Sequence, residues 1–222
     1  MRHSQFPPGV LNLIIINAIF YFAKMLVLSS RGVDLDGYLG LFHPFSPAFH
    51  WYQYITSLFM HASVTHLVMN MFGLWLFGHM LENAYGTKRF LIFYFVSGVG
   101  ASMIFQLWSS ILHYQQLSGF GSFTDVMRTY PPGDLLIGAS GCVYGVLMGA
   151  ALLFPNTQMS FLFLPGLPMK LKWVAVLYGG AEVYNAWQAA PGDNVAHFAH
   201  VGGMIFGFIL VKIYSRDRTH FY

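Results

Sequence analysis

Six long apolar stretches constrain the fold of this chain more than any other feature of its sequence. They cover roughly residues 10–28, 62–81, 90–110, 136–154, 171–190 and 195–214. Each is close to the ~20 apolar residues that a helix needs to cross a bilayer. Only 9% of the 222 residues are charged, against about 25% in an ordinary soluble domain. The sequence therefore predicts an all-α membrane protein, built as a bundle of six transmembrane helices.

We expect one membrane domain over residues 1–222, with a core at about 10–214 and short cytoplasmic tails at 1–9 and 215–222. The first stretch follows the polar segment MRHSQFPPG, and no small-residue cleavage site comes after it. This pattern favours a retained first helix over a signal peptide. The single cysteine, Cys142, lies in an apolar stretch and gives no information on the redox compartment.

Basic residues are distributed unevenly among the connecting segments. If the N-terminus is cytoplasmic, the outside segments carry two basic residues, Arg31 and Arg128, with Lys24 left uncounted near the outer end of the first stretch. The inside segments then carry eight, namely Arg2, Lys88, Arg89, Lys170, Lys172, Lys212, Arg216 and Arg218. An excess of Lys and Arg marks the cytoplasmic side. The distribution predicts that both termini are cytoplasmic (N-in, C-in).

Two connections have unusual compositions. Residues 41–54 (LFHPFSPAFHWYQY) are rich in aromatic residues and proline, which indicates a loop lying in the membrane interface. Residues 157–169 (TQMSFLFLPGLPM) are apolar, but they are too few and too interrupted by proline to span. We expect this second segment near the cytoplasmic surface.

Polar side chains occur at a similar depth in the second, fourth and sixth stretches. At 1.5 Å per residue, Ser140 lies roughly 6 Å and His200 roughly 8 Å from the outer ends of their stretches. His66 and Asn70 lie roughly 6 and 12 Å from the outer end of theirs. Polar groups within a membrane are costly and usually face the bundle interior or a wet cavity. The shared depth predicts one site that is reachable from the outer face.

Glycines recur every four residues on two of these stretches and form what we call the glycine stripes, which are Gly141, Gly145 and Gly149 on the fourth and Gly203 and Gly207 on the sixth. Small residues at this spacing let helix backbones approach closely in lipid. If the stripes pack together, Ser140 and His200 meet. Helix packing alone is the alternative, since a serine in a membrane helix often only bonds the carbonyl one turn back.

Three short motifs resemble those of the rhomboid intramembrane serine proteases. GASG at 138–141 matches the family's G-x-S-G motif, and AHVGGMIFG at 199–207 looks like its A-H-x-x-G-x-x-x-G motif. HLVMN at 66–70 is similar to its H-x-x-x-N motif. The motifs occur in order on alternate helices, and the similarity extends over about residues 10–214.

The resemblance implies that Ser140 is the nucleophile and His200 its general base. It also implies an oxyanion hole formed by His66, Asn70 and the backbone N–H of Ser140. Supporting positions carried by the motifs are Tyr144 against the imidazole, Gly138 where the substrate approaches, and Gly141, Gly203 and Gly207 in the helix contacts. One departure is that the family's Trp-Arg pair in the first outer loop is Tyr-Gln here, at positions 52–53.

The chemistry is consistent with these residue types. A serine hydroxyl needs a base to remove its proton, and the resulting oxyanion needs donors aimed at it in advance. Neither Glu182, in the middle of the fifth stretch, nor Asp193, in the loop before His200, is an obvious third member, so we predict a Ser-His dyad. His197 is the alternative base, one turn nearer the surface. Residues 189–195 (AAPGDNV) are expected to cap the opening, a hypothesis based on their position.

The sequence thus predicts an intramembrane serine endopeptidase that cleaves transmembrane substrate proteins near the outer face. A histidine-based metal- or haem-binding membrane protein is the alternative, suggested by the ten histidines. A catalytically silent relative that binds membrane helices is a third. We expect no cofactor, no metal and no nucleic-acid partner, and the oligomeric state stays open. The expected partners are membrane-spanning substrates and lipid, in a bacterial inner membrane.

Overall fold

The computed structural model describes residues 6–130, 135–161, 164–188 and 197–218. Within these residues the long helices are α1 (Pro8–Arg31), α2 (Val64–Tyr85), α3 (Thr87–Leu117), α4 (Ser140–Leu153), α5 (Leu171–Gln188) and α6 (His197–Arg218). Short helices at Asp36–Leu39, Gln53–Thr56 and Phe123–Met127, and 3₁₀ turns at Ser57–Phe59 and Ser118–Phe120, lie in the connections. The chain is mostly helical, as its apolar stretches predict.

Four helices in the described residues are long and apolar enough to cross a membrane, and they are α1, α2, α3 with the turn that follows it, and α6. The fourth apolar stretch forms a shorter helix, since α4 has only 14 residues. Large apolar side chains remain exposed on the outer helices, including Trp187 of α5 at 87%. Such faces are stable against lipid and not against water. The chain is a multi-pass membrane protein.

Two of the connections form short antiparallel sheets, which the sequence analysis did not predict. Strand β1 (Leu41–Phe42) pairs with β2 (Leu135–Leu136), and β3 (Gln158–Phe161) pairs with β4 (Leu164–Lys170). The sequence of β4, LPGLPMK, contains two prolines and a glycine, which do not continue a helix. These segments pair their backbone groups across strands instead.

The start of α4 also differs from the sequence prediction. The apolar stretch begins near residue 136, but the helix begins at Ser140. Gly138 has φ of +125°, a conformation outside any right-handed helix and accessible mainly to glycine. Ser140 is therefore the first residue of its helix and does not lie one turn inside it.

α4 lies at the centre of the bundle, and nine of its 14 residues are buried. It packs against α6, α3 and α2, while α1 packs on α2 and α5 packs on α6. The core along it includes Cys142, Val146 and Ala150, none of which is exposed. The central position of α4 means that its N-terminus is surrounded by protein.

The glycine stripes bring α4 and α6 into backbone contact. A Cβ added at Gly203 would lie 2.0 Å from the carbonyl oxygen of Gly141, and one at Gly207 would lie 2.4 Å from that of Gly145. Gly149 differs, because it faces ring and methyl atoms of Phe93 and Leu81 on α3 and α2. No side chain fits between α4 and α6 at the first two contacts, so the helices approach as closely as their backbones allow.

The loop between α1 and α2 is anchored by Gln53 of the Tyr-Gln pair. Its side chain is fully buried; Oε1 accepts from the backbone N–H of His50 at 3.0 Å and Nε2 donates to the carbonyl of Ala48 at 3.0 Å. Longer bonds of 3.4 Å join the same amide to the backbone of Phe42 and Tyr38. The glutamine thus fixes this loop through backbone groups.

Candidate active site

Ser140 lies where β2 gives way to α4. The backbone N–H of Gly138 donates to the carbonyl of Ser57 at 2.9 Å, which holds the turn in place. As the first residue of α4, Ser140 has a backbone N–H without a partner inside the helix, since the first four N–H groups of any helix lack one. The positive end of the helix dipole lies at the same point. The turn thus presents a hydroxyl beside a backbone donor suited to an anion.

His200 reaches this hydroxyl from α6. Its Nε2 lies 2.7 Å from Oγ of Ser140, a hydrogen-bond distance, and the residue is only 8% exposed. The ring stacks on Tyr144, with centroids 4.3 Å apart and planes 9° apart. Tyr144 follows Ser140 by four residues and so lies on the same face of α4. The structure brings these three predicted site residues together.

His66 lies over the turn before Ser140. A Cβ at Gly138 would be 2.8 Å from Cε1 and 2.9 Å from Nε2 of His66, so only glycine fits beneath this ring. Nδ1 of His66 accepts the backbone N–H of Ala62 at 3.4 Å, which assigns the proton of the neutral ring to Nε2. Asn70, one turn along α2, donates from Nδ2 to the carbonyl of His66 at 3.0 Å. The donor of His66 faces the serine turn, whereas Asn70 is joined to its own helix.

Glu182 of α5 is the residue that sequence reasoning did not select, yet it lies in the middle of the cluster. Tyr144 donates its hydroxyl to Oε1, and Nδ1 of His197 lies 2.5 Å from Oε2. Nδ1 of His200 lies 3.0 Å from the same oxygen, which is close enough for an ion pair. The angle at this nitrogen does not meet the geometry of a hydrogen bond. A signal was present in the sequence, because Glu182 is the only acidic residue within the six apolar stretches.

The two candidate bases occupy different positions. His197 faces the carboxylate of Glu182, while Nε2 of His200 faces Ser140. The two imidazoles lie edge to face, with centroids 6.3 Å apart. The geometry thus favours His200 over His197 as the partner of the hydroxyl. The proposed cap at 189–195 and the other acid considered, Asp193, lie outside the described residues.

Among the described residues, Glu182, His197 and His200 are also the ones that come nearest to a metal-binding set. One ligand atom from each lies within 4.8 Å of the others. Zinc bonds of about 2.0–2.2 Å in a tetrahedral site keep ligand atoms about 3.3 Å apart. Nδ1 of His197 and Nδ1 of His200 lie instead 2.5 and 3.0 Å from Oε2 of Glu182, and such distances are typical of hydrogen-bonded groups. The donor types suit a divalent metal, but the spacing is that of a hydrogen-bonded cluster.

Comparison with known proteins relates the chain to one family of membrane proteins. The family model for the rhomboid domain matches residues 48–217. The Rhomboid protease AarA of Providencia stuartii is 26% identical over 92% of this chain and 71% of its own length. Rhomboid-like protein 11, chloroplastic, of Arabidopsis thaliana is 28% identical over 94% of this chain and 66% of its own length.

Rhomboid protein 1, mitochondrial, of Saccharomyces cerevisiae is 33% identical over 74% of this chain and 43% of its own length. The chain thus spans less than two thirds of two of these three relatives. Their names include chloroplast and mitochondrial proteins beside a bacterial one, so they do not establish a bacterial inner membrane for this chain. Since the family model covers more than half of the residues, the chain belongs to the rhomboid family.

Proposed function

We propose that the protein is an intramembrane serine endopeptidase that hydrolyses peptide bonds of transmembrane substrate proteins near the outer face of the membrane. The observation that carries the proposal is the 2.7 Å contact between Nε2 of His200 and Oγ of Ser140. A serine hydroxyl paired with an imidazole in this way is a nucleophile with its base. Relatives named as proteases in Providencia stuartii and Bacillus subtilis support the same activity.

Each step of the reaction has a group of this chain to perform it. Nε2 of His200 takes the proton of Ser140 as Oγ attacks the substrate carbonyl carbon, and the carbonyl oxygen becomes an oxyanion. The backbone N–H of Ser140 and Nε2–H of His66 are the nearest donors for that charge, with Asn70 as a third. The imidazolium then protonates the leaving amine, and a water activated by the neutral ring cleaves the acyl-enzyme.

We also infer that all six long helices span the membrane with both termini on the cytoplasmic side. The eight basic residues of the inside segments against two outside support this orientation. α2, α4 and α6 then run from the outer side of the membrane toward the cytoplasm. With 14 residues, α4 is about 21 Å long, less than the ~30 Å of a bilayer core. Its first residue, Ser140, therefore lies below the outer surface, in irregular backbone enclosed by other helices.

A substrate must present an extended peptide bond to this serine. A transmembrane helix has all its carbonyls bonded internally, so it must unwind before a bond is exposed. Glycine, serine or proline near the outer boundary of a substrate helix should therefore favour cleavage, because these residues weaken the helix.

The first prediction tests the nucleophile in detergent-solubilised protein. A fluorophosphonate probe should label the wild type, while Ser140→Ala should abolish labelling and His200→Ala should slow it by at least about 10³-fold, because the hydroxyl loses its base. Cleavage of a transmembrane reporter should fall in parallel.

Ser215→Ala is the matched control, since that hydroxyl only bonds the carbonyl of Val211 at 2.8 Å within α6. It should label like the wild type. Labelling of Ser140→Ala at the wild-type rate would assign the nucleophile to another residue.

The metal-binding alternative is favoured by one observation, the grouping of Glu182, His197 and His200. Metal analysis and a visible spectrum of the purified protein separate the two functions. Stoichiometric zinc or a haem band, together with a failure to react with the fluorophosphonate, would favour the alternative. A catalytically silent protein would show neither metal nor labelling.

A further inference from the structure

We propose that Glu182 is a positioning residue that orients His200 and stabilises the imidazolium formed during the reaction. The inference rests on the proposed protease function and extends the predicted dyad by a carboxylate. Its basis is the 3.0 Å separation between Oε2 of Glu182 and Nδ1 of His200, on the side of the ring opposite Ser140. The arrangement has the order hydroxyl, imidazole, carboxylate that serine hydrolases of unrelated folds share.

The carboxylate is itself held in place from two sides. Tyr144 donates its hydroxyl to Oε1, and Nδ1 of His197 lies 2.5 Å from Oε2. Tyr144 also stacks on the ring of His200, so one side chain positions both the base and the carboxylate. The carboxylate can turn little without breaking one of these contacts, which fixes its distance to His200.

Burial makes a purely structural role for Glu182 unfavourable. The residue is only 8% exposed and lies within an apolar helix. Burial removes the hydration of a carboxylate, which is costly unless partners replace the water, and packing alone would be served better by an apolar side chain. A carboxylate that gains a further partner when His200 is protonated accounts for the charge at this position.

The electrostatic effect appears when Ser140 transfers its proton. His200 then carries a positive charge next to the carboxylate, in surroundings where charges interact more strongly than in water. The resting contact lacks hydrogen-bond direction, and such bonds often tighten only as the reaction proceeds. An interaction made mainly in the transition state raises kcat more than it lowers KM.

Other groups that face this pair determine how its charge responds to pH. Ser140 and Tyr144 on α4 and His197 on α6 contact the pair directly, while Tyr178 on α5 contacts Tyr144, and His66 on α2 lies over Gly138. α3 presents an aromatic contact to α6, with Trp108 stacked on Phe198. Protonated His66 or His197 would oppose a charge on His200, so the carboxylate is the group that favours it.

The test uses Glu182→Gln, which keeps the shape of the side chain and removes its charge. We expect kcat for a transmembrane reporter to fall by about 10²-fold, with KM changed less than about twofold. The loss should stay below the about 10⁴-fold that follows loss of the acid in a serine-protease triad, because Tyr144 still orients the ring. Glu182→Asp restores the charge and should recover part of the loss.

The pH profile separates positioning from packing. The acidic limb of the fluorophosphonate labelling rate reports protonation of the base. Without the carboxylate the imidazolium is less favoured, so the limb of Glu182→Gln should move to lower pH. If Glu182 served only in packing, Glu182→Gln would lower the stability of the protein and leave the acidic limb of the labelling rate unchanged.

Glu82 provides a matched control, because it is a second buried glutamate far from the site. Its carboxylate accepts from the backbone N–H of Gly9 at 2.8 Å and of Val10 at 2.7 Å, and from the hydroxyl of Thr87 at 2.6 Å. Glu82→Gln should lower stability at the N-terminus of α1 and leave the acidic limb where it is in the wild type.

The outcomes separate this inference from the proposed function. A wild type that neither labels nor cleaves ends both. A wild type that labels at Ser140, with Glu182→Gln equal to it in rate and pH profile, overturns the positioning role alone. If Glu182→Gln does not fold, Tyr144→Phe serves instead, since it keeps the stacked ring and removes the donor to Glu182. That variant should label about tenfold more slowly, and an unchanged rate would overturn the inference.

Discussion

His61 is a buried residue whose polar groups are only partly satisfied. Nδ1 lies 3.3 Å from the carbonyl of Phe59, and Nε2 has no hydrogen-bond partner among the described residues. Its backbone carbonyl accepts from the ammonium of Lys24 at 3.1 Å, while Lys24 also pairs with Asp36. His61 is 0% exposed, so its ring faces protein and not solvent.

Burial lowers the pKa of His61 from 6.5 to about 4, and His66 and Lys24 add to the effect. Between pH 6.5 and about pH 4, the imidazole of His61 binds a proton in the unfolded chain but not in the folded chain. The neutral, buried imidazole therefore contributes fully to stability above pH 6.5, and this contribution is lost as the pH falls toward 4. The loss amounts to about 3 kcal/mol.

A prediction follows for the thermal midpoint of the detergent-solubilised protein, measured between pH 7.5 and 4. The midpoint should fall with pH in the wild type and less steeply in His61→Phe, which cannot be protonated there. His50→Phe, at an exposed histidine, should follow the wild type. Parallel curves for all three proteins would show that His61 does not control the acid sensitivity.

Among the helix contacts, the one between α4 and α6 brings the residues of the candidate site together. Ser140 and His200 lie on different helices, and only the closeness of the two backbones allows a hydroxyl and an imidazole to reach each other. Gly203 is the position where that closeness is greatest, with a Cβ position 2.0 Å from the carbonyl oxygen of Gly141. An added methyl group there must push the helices apart.

We therefore expect Gly203→Ala to lower the free energy of unfolding by at least about 1–3 kcal/mol, the usual cost of overpacking. Fluorophosphonate labelling should slow as well, because the separation of Ser140 and His200 grows. Gly180→Ala on α5 is the control, since a Cβ there meets nothing within 4 Å. It should be neutral or stabilising by up to about 1 kcal/mol through helix propensity. Equal stability of the two variants would contradict the close packing.

For the molecule as a whole, the exposed apolar surface indicates which faces contact lipid, and the basic residues indicate how the bundle is oriented in the membrane. Trp51, in the loop between α1 and α2, is 79% exposed, and α1 exposes large apolar side chains along its length. The aromatic loop suits an interface, where aromatic rings are enriched. With the orientation we propose, the same end of the bundle holds Ser140 and His200.

The orientation can be tested with single cysteines in a Cys142→Ala background, using a membrane-impermeant maleimide on intact cells. Ser30→Cys and Asn156→Cys place thiols at exposed positions near opposite ends of the bundle. We expect labelling at position 30 from outside, and at position 156 only after the cells are opened. The reverse pattern would invert the topology and place the site at the cytoplasmic face.

Several features of the site follow from local sequence. The apolar stretches predicted the ends of the long helices to within about four residues, except that α3 continues seven residues beyond its predicted end, to Leu117. Helix length and hydropathy are properties of neighbouring residues, so they can be predicted locally. The spacing of Gly203 and Gly207 after His200 puts all three on one helix face in any helix. The motifs selected Ser140, His200 and His66, and the structure gathers them around one turn.

Other features depended on the tertiary structure. The pairing of residues 41–42 with 135–136 joins segments that no local pattern relates. Gly138 ends the helical part of an apolar stretch through its positive φ, so periodicity alone misplaced the start of α4. Glu182 was visible as the only acid in an apolar stretch, but the rotation of α5 about its axis decides what the carboxylate faces.

Hydropathy and residue spacing act over a few helical turns, so they were enough to predict a multi-pass helical membrane protein and to select the residues of its three motifs. The convergence of Tyr144, His197 and His200 on Glu182, and the burial of His61, arise from the tertiary structure. Glu182 and Tyr144 are 38 residues apart, and contacts over such separations are set by how whole helices pack.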